Sequence, residues 1–185
     1  MAYQKLQSRE ALALIKSDDV RIPDPTSIIA LDPIVVTGGV LTGTDATVGT
    51  ADFSVAGTLT DVGTKFTELG IQPGAIVYNT TAGKAYYVTA VTDDLNLSLS
   101  PSDAGGATDS YSIYARPTLG CTLFIGTAGD VSVRMAEQNG NTTVAAAPAN
   151  QTILYKGLAN GSFMPIQVVQ LMSTSTDATD VIGMW

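Results

Sequence analysis

Apolar and polar residues alternate along most of this chain in short blocks with a period near two, the period of a strand and not of a helix. Leu95, Leu97 and Leu99 alternate with Asn96 and Ser98 as a half-buried strand does. Upstream, Ile76-Val77-Tyr78 and the run Ala85 to Val91 flank a turn at Asn79 to Lys84, and Phe66, Leu69 and Ile71 lead into the turn Gln72-Pro73-Gly74. After Gly105-Gly106, Tyr111, Ile113 and Tyr114 close the unit, which makes four or five short strands at roughly 10-residue spacing, a small barrel or sandwich.

Pro117 marks a boundary. Beyond it the pattern predicts a strand over Cys121 to Ile125, a turn at Gly126 to Asp130 and a strand over Val131 to Met135. The turn Gln138 to Asn141 and an Ala/Thr-rich passage lead to Ile153-Leu154-Tyr155. Phe163 to Ile166 then precede a strand over Gln167 to Met172, and a last strand covers Ala178 to Trp185. Ahead of all this, Ile34-Val35-Val36 and the Gly38-Gly39 break follow an opening of different character. Leu12, Leu14 and Ile15 fit a short helix or an extended segment, and Pro23, Pro25 and Pro33 then exclude regular helix. About residues 1–33 therefore read as an extended N-terminal arm lying across a surface.

Composition reinforces the all-β fold class. Thr, Val, Gly and Ala dominate the 185 residues, and Glu occurs three times, poor material for exposed helices. No stretch is apolar for the roughly 20 residues that span a bilayer, and the polar, mixed-charge opening is not expected to act as a secretory signal. Nine basic against 17 acidic side chains give a net charge of −8, which argues against a phosphate backbone as partner. Neither a membrane nor a nucleic acid is expected to bind.

Chemistry is sparse. With no His there is no imidazole base, ligand or proton shuttle. Cys121, the single cysteine, stands beside an apolar strand and reads as a small core residue. The acid pairs Asp18-Asp19 and Asp93-Asp94 fall in connectors and read as solvated turn residues, while Asp130, Asp177 and Asp180 lack the loop spacing of a calcium site. No catalytic residue, cofactor or metal is expected. Tyr78, Tyr86, Tyr87, Tyr111 and Tyr114 could stack sugars or fill a barrel core, and the core is the favoured assignment.

Three pieces of the chain, taken together, resemble tailed-bacteriophage virion structural proteins of the head decoration (cement) and head-spike-base kind. They are Ser17 to Pro23, the strand-turn-strand Leu123-Phe124-Ile125-Gly126-Thr127-Ala128-Gly129-Asp130-Val131-Ser132-Val133, and Gly161 to Val168 with Ala178 to Trp185. Phe66 to Tyr114 is similar to a second recurrent phage module. The resemblance implies an insertion: a β-sandwich or barrel base domain from 1–39 plus 117–185, carrying an inserted small β-barrel or sandwich domain over 40–116.

What the resemblance implies is a non-enzymatic protein on the outer surface of the virion capsid, made in the host cytoplasm. Its partners would be itself, as a homo-oligomer with a trimer favoured, and the major capsid protein. The alternatives are a head-spike base at capsid vertices carrying a fibre protein, a neck or tail structural protein, or, from a different class, a carbohydrate-binding host-attachment module. The arm carries the functional expectation, because a 185-residue β protein offers few neighbours to bury its apolar side chains. Leu12, Leu14, Ile15, Ile22, Ile28, Ile29 and Trp185 are the expected partner contacts, and removing residues 1–30 is expected to leave the β domains folded.

Overall fold

The computed structural model describes residues 8–31, 35–37, 40–42, 48–136 and 152–185. Four features read from the sequence lie outside them: Ile34, Gly38-Gly39, Pro33 and the Gln138 to Asn141 turn. The chain is all-β, and among the described residues the helical structure is 3₁₀ alone: Ala136 and the turn Pro25–Ser27, whose Thr26 amide is capped by Asp24.

In chain order the strands are β1 (Ala11–Ala13), β2 (Val35–Thr37), β3 (Val40–Thr42), β4 (Gly49–Ala51), β5 (Thr58–Thr60), β6 (Ile76–Asn79) and β7 (Lys84–Val91). They continue as β8 (Asn96–Ser100), β9 (Asp109–Tyr114), β10 (Cys121–Thr127), β11 (Gly129–Met135), β12 (Ile153–Leu158), β13 (Ser162–Leu171) and β14 (Thr179–Met184). Two six-stranded antiparallel sheets result, ordered β1-β14-β10-β13-β11-β12 and β4-β9-β6-β7-β8-β5, with β2-β3 a separate hairpin.

The second sheet curls until its edges meet. Asp52, just after β4, exchanges both main-chain hydrogen bonds with Thr60 of β5, at 2.8 and 2.9 Å. The sheet is therefore nearly a closed barrel, which leaves no long free edge. Alternation fills its interior with Phe53, Leu59, Phe66, Val77, Tyr86, Leu97, Tyr111 and Ile113. Tyr86 stacks on Phe53 at 5.9 Å and Tyr111 meets the same ring edge-on at 6.0 Å. The Tyr111 hydroxyl donates to Asp61, whose buried carboxylate also accepts from the Gly63 amide and the Thr64 hydroxyl.

The first sheet packs Leu123, Ile125, Val131, Val133, Met164, Val168, Leu171 and Val181 on its inner side. Its β10–β11 turn needs glycine at position 129, where a Cβ would stand 2.5 Å from the Ala178 amide nitrogen. β13 starts earlier than its sequence suggests, at Ser162, and carries Pro165 within it. The strand tolerates the missing N–H because the register between β10 and β13 shifts across that stretch, from Leu123 opposite Met164 to Cys121 opposite Val168.

The arm joins the two sheets, and it does so through its backbone. β1 pairs with β14, Leu14 donates to Val181, Ser17 to Leu171 and Ile22 to Val169. Pro23 then faces Pro117, and the arm crosses to the barrel, where Ala115 donates to Ser27 and Ile29 donates to Ile113. Between sheet and barrel lies a third apolar cluster, in which Val20 of the arm packs with Ile76, Tyr78, Ala85, Tyr87 and Tyr114, and Leu12 and Ile15 lie against it. The arm is a strap within the fold.

Ile22 shows how much of the fold this strap supports, since it is 1% exposed inside the first sheet's core. Ile22→Ala is expected to lower unfolding free energy by about 2 to 4 kcal/mol in urea denaturation. A loss within a few tenths of zero would mean that the arm is an appendage.

Candidate functional site

The residues expected to contact a partner are placed by the structure within the chain. Leu14 and Trp185 lie half-buried on the first sheet's core, Ile22 is inside it, and Ile29 lies on the barrel core. Leu12 and Ile15 cover the third cluster. Of the seven, Ile28 is the most open, at 37% exposed. The premise that one chain cannot bury its own arm is corrected by the topology: lying between a sheet and a barrel, the strap finds apolar neighbours on both. Trp185 is fixed by an indole N–H donated to the Thr118 hydroxyl at 2.7 Å.

The five barrel tyrosines are buried as well. Tyr86 and Tyr111 fill the barrel, and Tyr78, Tyr87 and Tyr114 fill the cluster beneath the arm. Burial raises the phenols of Tyr78, Tyr86, Tyr87 and Tyr114, that of Tyr86 to about 12. None of these rings is presented as a stacking platform. Cys121, 1% exposed, is the small core residue its context suggested, and burial pushes its thiol up to about 12.

The acidic residues hold turns together. Asp18 is more than a solvated turn residue: its carboxylate accepts four hydrogen bonds across the chain, from the amides and hydroxyls of Ser173 and Thr174, at 2.6 to 3.0 Å. Burial alone would raise its pKa; the four donors outweigh that and hold the carboxyl below its ordinary 3.8. Asp93 accepts from the Leu95 amide and the Asn96 side chain, and Asp94 accepts from the Thr67 hydroxyl. Asp130 accepts from the Gly157 amide and Asp180 from the Thr127 hydroxyl. Among the described residues no group of three or more Cys, Asp or Glu is arranged to hold a metal ion, and no helix is long and apolar enough to cross a membrane.

One surface differs from these self-contained contacts. On the outer side of the first sheet, register places Ala13 opposite Ile182, Ile182 opposite Phe124, and Phe124 opposite Phe163, a single apolar row across β1, β14, β10 and β13. Ala11, Met184 and Thr122 form a parallel row beside it. Neither row contains a charge. Ala11 and Ala13 are exposed, Phe124, Ile182 and Met184 half-buried, and Phe163 is 51% exposed. The patch is apolar on a face where an antiparallel sheet meeting water carries polar side chains. The sequence held a signal for it. Leu123-Phe124-Ile125 and Val181-Ile182 are continuous apolar runs, the mark of strands covered on both faces.

No family model, no curated protein and no solved structure matches the chain.

Two outcomes test these assignments. Asp18→Ala is expected to cost about 1 kcal/mol at neutral pH, a value set by the partly exposed position of the bonds. Because the folded pKa is depressed, Asp18's contribution is present above the unfolded pKa near 3.8 and is lost as pH falls through the folded value. The gap between wild type and variant therefore closes in acid; a pH-independent gap in denaturation curves would contradict the assignment. Cys121 is expected to react with an aromatic disulfide reagent at the rate of global unfolding, and rapid labelling of native protein would show it accessible.

Proposed function

We propose that the protein is a tailed-phage virion structural protein, a head decoration or cement protein that binds the assembled capsid as a homo-oligomer, a trimer by preference. The observation that carries this reading is the pair of uncharged, largely apolar rows on the outer side of the first sheet. A contiguous apolar patch on a soluble protein marks a surface that another protein covers. Covering the exposed half of one Phe side chain contributes about 2 kcal/mol at 25 cal/mol per Å².

A second observation supports the class. The three pieces that resemble phage decoration and spike-base proteins, Ser17 to Pro23, Leu123 to Val133, and Gly161 to Val168 with Ala178 to Trp185, lie far apart in sequence but adjacent in space. The first is the arm segment hydrogen-bonded along β13, the second is the β10–β11 hairpin, and the third is β13 with β14. The second and third are strands of one sheet and the first is bonded to it, as the parts of one inherited module would be.

The mechanism is adhesion by burial. Contact with a capsid protein and with neighbouring copies is made by the sheet's outer face, while the strap and the barrel hold that sheet rigid. Phe163→Asp changes a half-exposed side chain, so it is expected to leave the thermal transition within about 1 kcal/mol of wild type. It is expected to abolish both self-association in sedimentation velocity and binding to undecorated phage heads. Wild-type occupancy of heads by the variant would overturn the reading.

A further inference from the structure

The barrel is open beside its seam. Asp52 and Thr60 hold the seam, and next to them Gly49 and Thr50 of β4, with Asp61, Gly63 and Thr64 of the segment after β5, line a cleft that Leu31 and Val48 complete. Its volume is about 230 Å³, and it is partly open to solvent. A buried charge forms part of the wall, since Asp61 is 7% exposed. Its Oδ2 accepts from the Tyr111 hydroxyl at 2.7 Å and the Thr64 hydroxyl at 3.2 Å, while Oδ1 accepts the Gly63 amide alone, at 2.8 Å. All three donors are neutral, and among the described residues no cation pairs with this carboxylate.

A carboxylate offers about four lone-pair sites, so the three donors leave Oδ1 with room for another. A charge so buried is costly until an opposite charge meets it. The lining selects the kind of cation. A calcium or magnesium ion takes roughly six or more oxygens, and the cleft offers it one carboxylate. A guanidinium forks onto both oxygens of a carboxylate, and Oδ2 already holds two hydroxyls. A primary ammonium is a compact point charge that one free oxygen can meet, and the Thr50 hydroxyl lies in the same lining. Leu31, 1% exposed, and Val48, 57% exposed, supply apolar surface for the methylenes that carry it. A cleft smaller than the roughly 300 Å³ of ordinary ligand pockets suits a short alkyl chain and not a cofactor.

We propose that this cleft at the barrel seam binds a primary alkylammonium group, the chemistry shared by a lysine side chain and a small aliphatic amine. Gly63 keeps the approach clear: a Cβ there would stand 3.3 Å from Oδ1, so a branched side chain at this position covers the oxygen that the ammonium needs.

The test titrates n-butylamine into nitrogen-15-labelled full-length protein at neutral pH and follows the amide resonances. Saturable shifts are expected, centred on Gly49, Thr50, Gly63 and Thr64. n-Butanol, the same chain without the charge, is expected to bind about tenfold more weakly or worse. Asp61→Asn is expected to lose the saturable shifts. So is Gly63→Val, which changes an exposed loop position and leaves the carboxylate with its hydroxyl donors. Blocked lysine (Nα-acetyl-lysine N-methylamide) and diaminobutane then separate the sources: tighter binding of the first assigns the cleft to a protein's lysine side chain, and tighter binding of the second assigns it to free amines, the proposal standing in either case. Absence of a saturable shift with every amine overturns it. So does equal binding of butanol, or wild-type binding by folded Gly63→Val protein.

Discussion

The arrangement depends on main-chain hydrogen bonds made by an arm that carries little regular structure of its own. Between Arg9 and Ile29 the chain bonds in turn to the end of β14, to β13, to the connector after β9, and to β9 itself. Backbone groups cannot be left unmade in a buried place, so this route fixes the arm's register on both sheets at once. The apolar side chains follow from that register: Leu14 and Ile22 turn into one core, and Val20, with Leu12 and Ile15, into the seam between sheet and barrel. Without the strap, the first sheet's core would lose Ile22 and Leu14, and the tyrosine-rich flank of the barrel would lose the cover of Val20, Leu12 and Ile15.

Charge is used sparingly and locally. Asp18 fastens the strap to the loop after β13, Asp61 closes one end of the barrel through Tyr111, and Asp109 accepts from the Asn79 side chain and the Gly106 amide. In each case a carboxylate gathers several donors from a turn, replacing the water that the turn excludes. The two outer rows Ala13-Ile182-Phe124-Phe163 and Ala11-Met184-Thr122 carry none of this chemistry. A protein that works by shape and burial leaves such a face uncharged, because a charge there would have to be desolvated on docking.

Much of this architecture was legible in the sequence. Period-two patterning around Leu95 to Leu99 and the turns at Asn79 to Lys84 identified the barrel strands, since an antiparallel hairpin is written in a few consecutive residues. The burial of the five tyrosines was legible too, but the barrel core takes only Tyr86 and Tyr111, while Tyr78, Tyr87 and Tyr114 are buried beneath the arm. What the sequence hid is long-range. Side-chain pattern says that Leu12, Leu14 and Ile22 want burial, but the partner is chosen by backbone edges more than a hundred residues away, so a neighbouring subunit and the chain's own sheet look alike. The early start of β13 was hidden for a similar reason: Pro165 is compatible with a strand where the register shifts, and a register shift is a property of two strands together. The burial of Arg134, 5% exposed, was equally hidden, since nothing in Val131 to Met135 distinguishes a buried arginine from an exposed one.

Hydrogen exchange resolved by residue on the native full-length chain tests the strap most directly. If the arm is integral, the amides of Leu14, Ser17, Ile22 and Ile29 exchange only through global unfolding, with the same protection as core amides such as those of Leu123 and Tyr86. If those four amides exchange through local opening while the sheets stay protected, the arm is a detachable segment and the account of the fold given above is wrong.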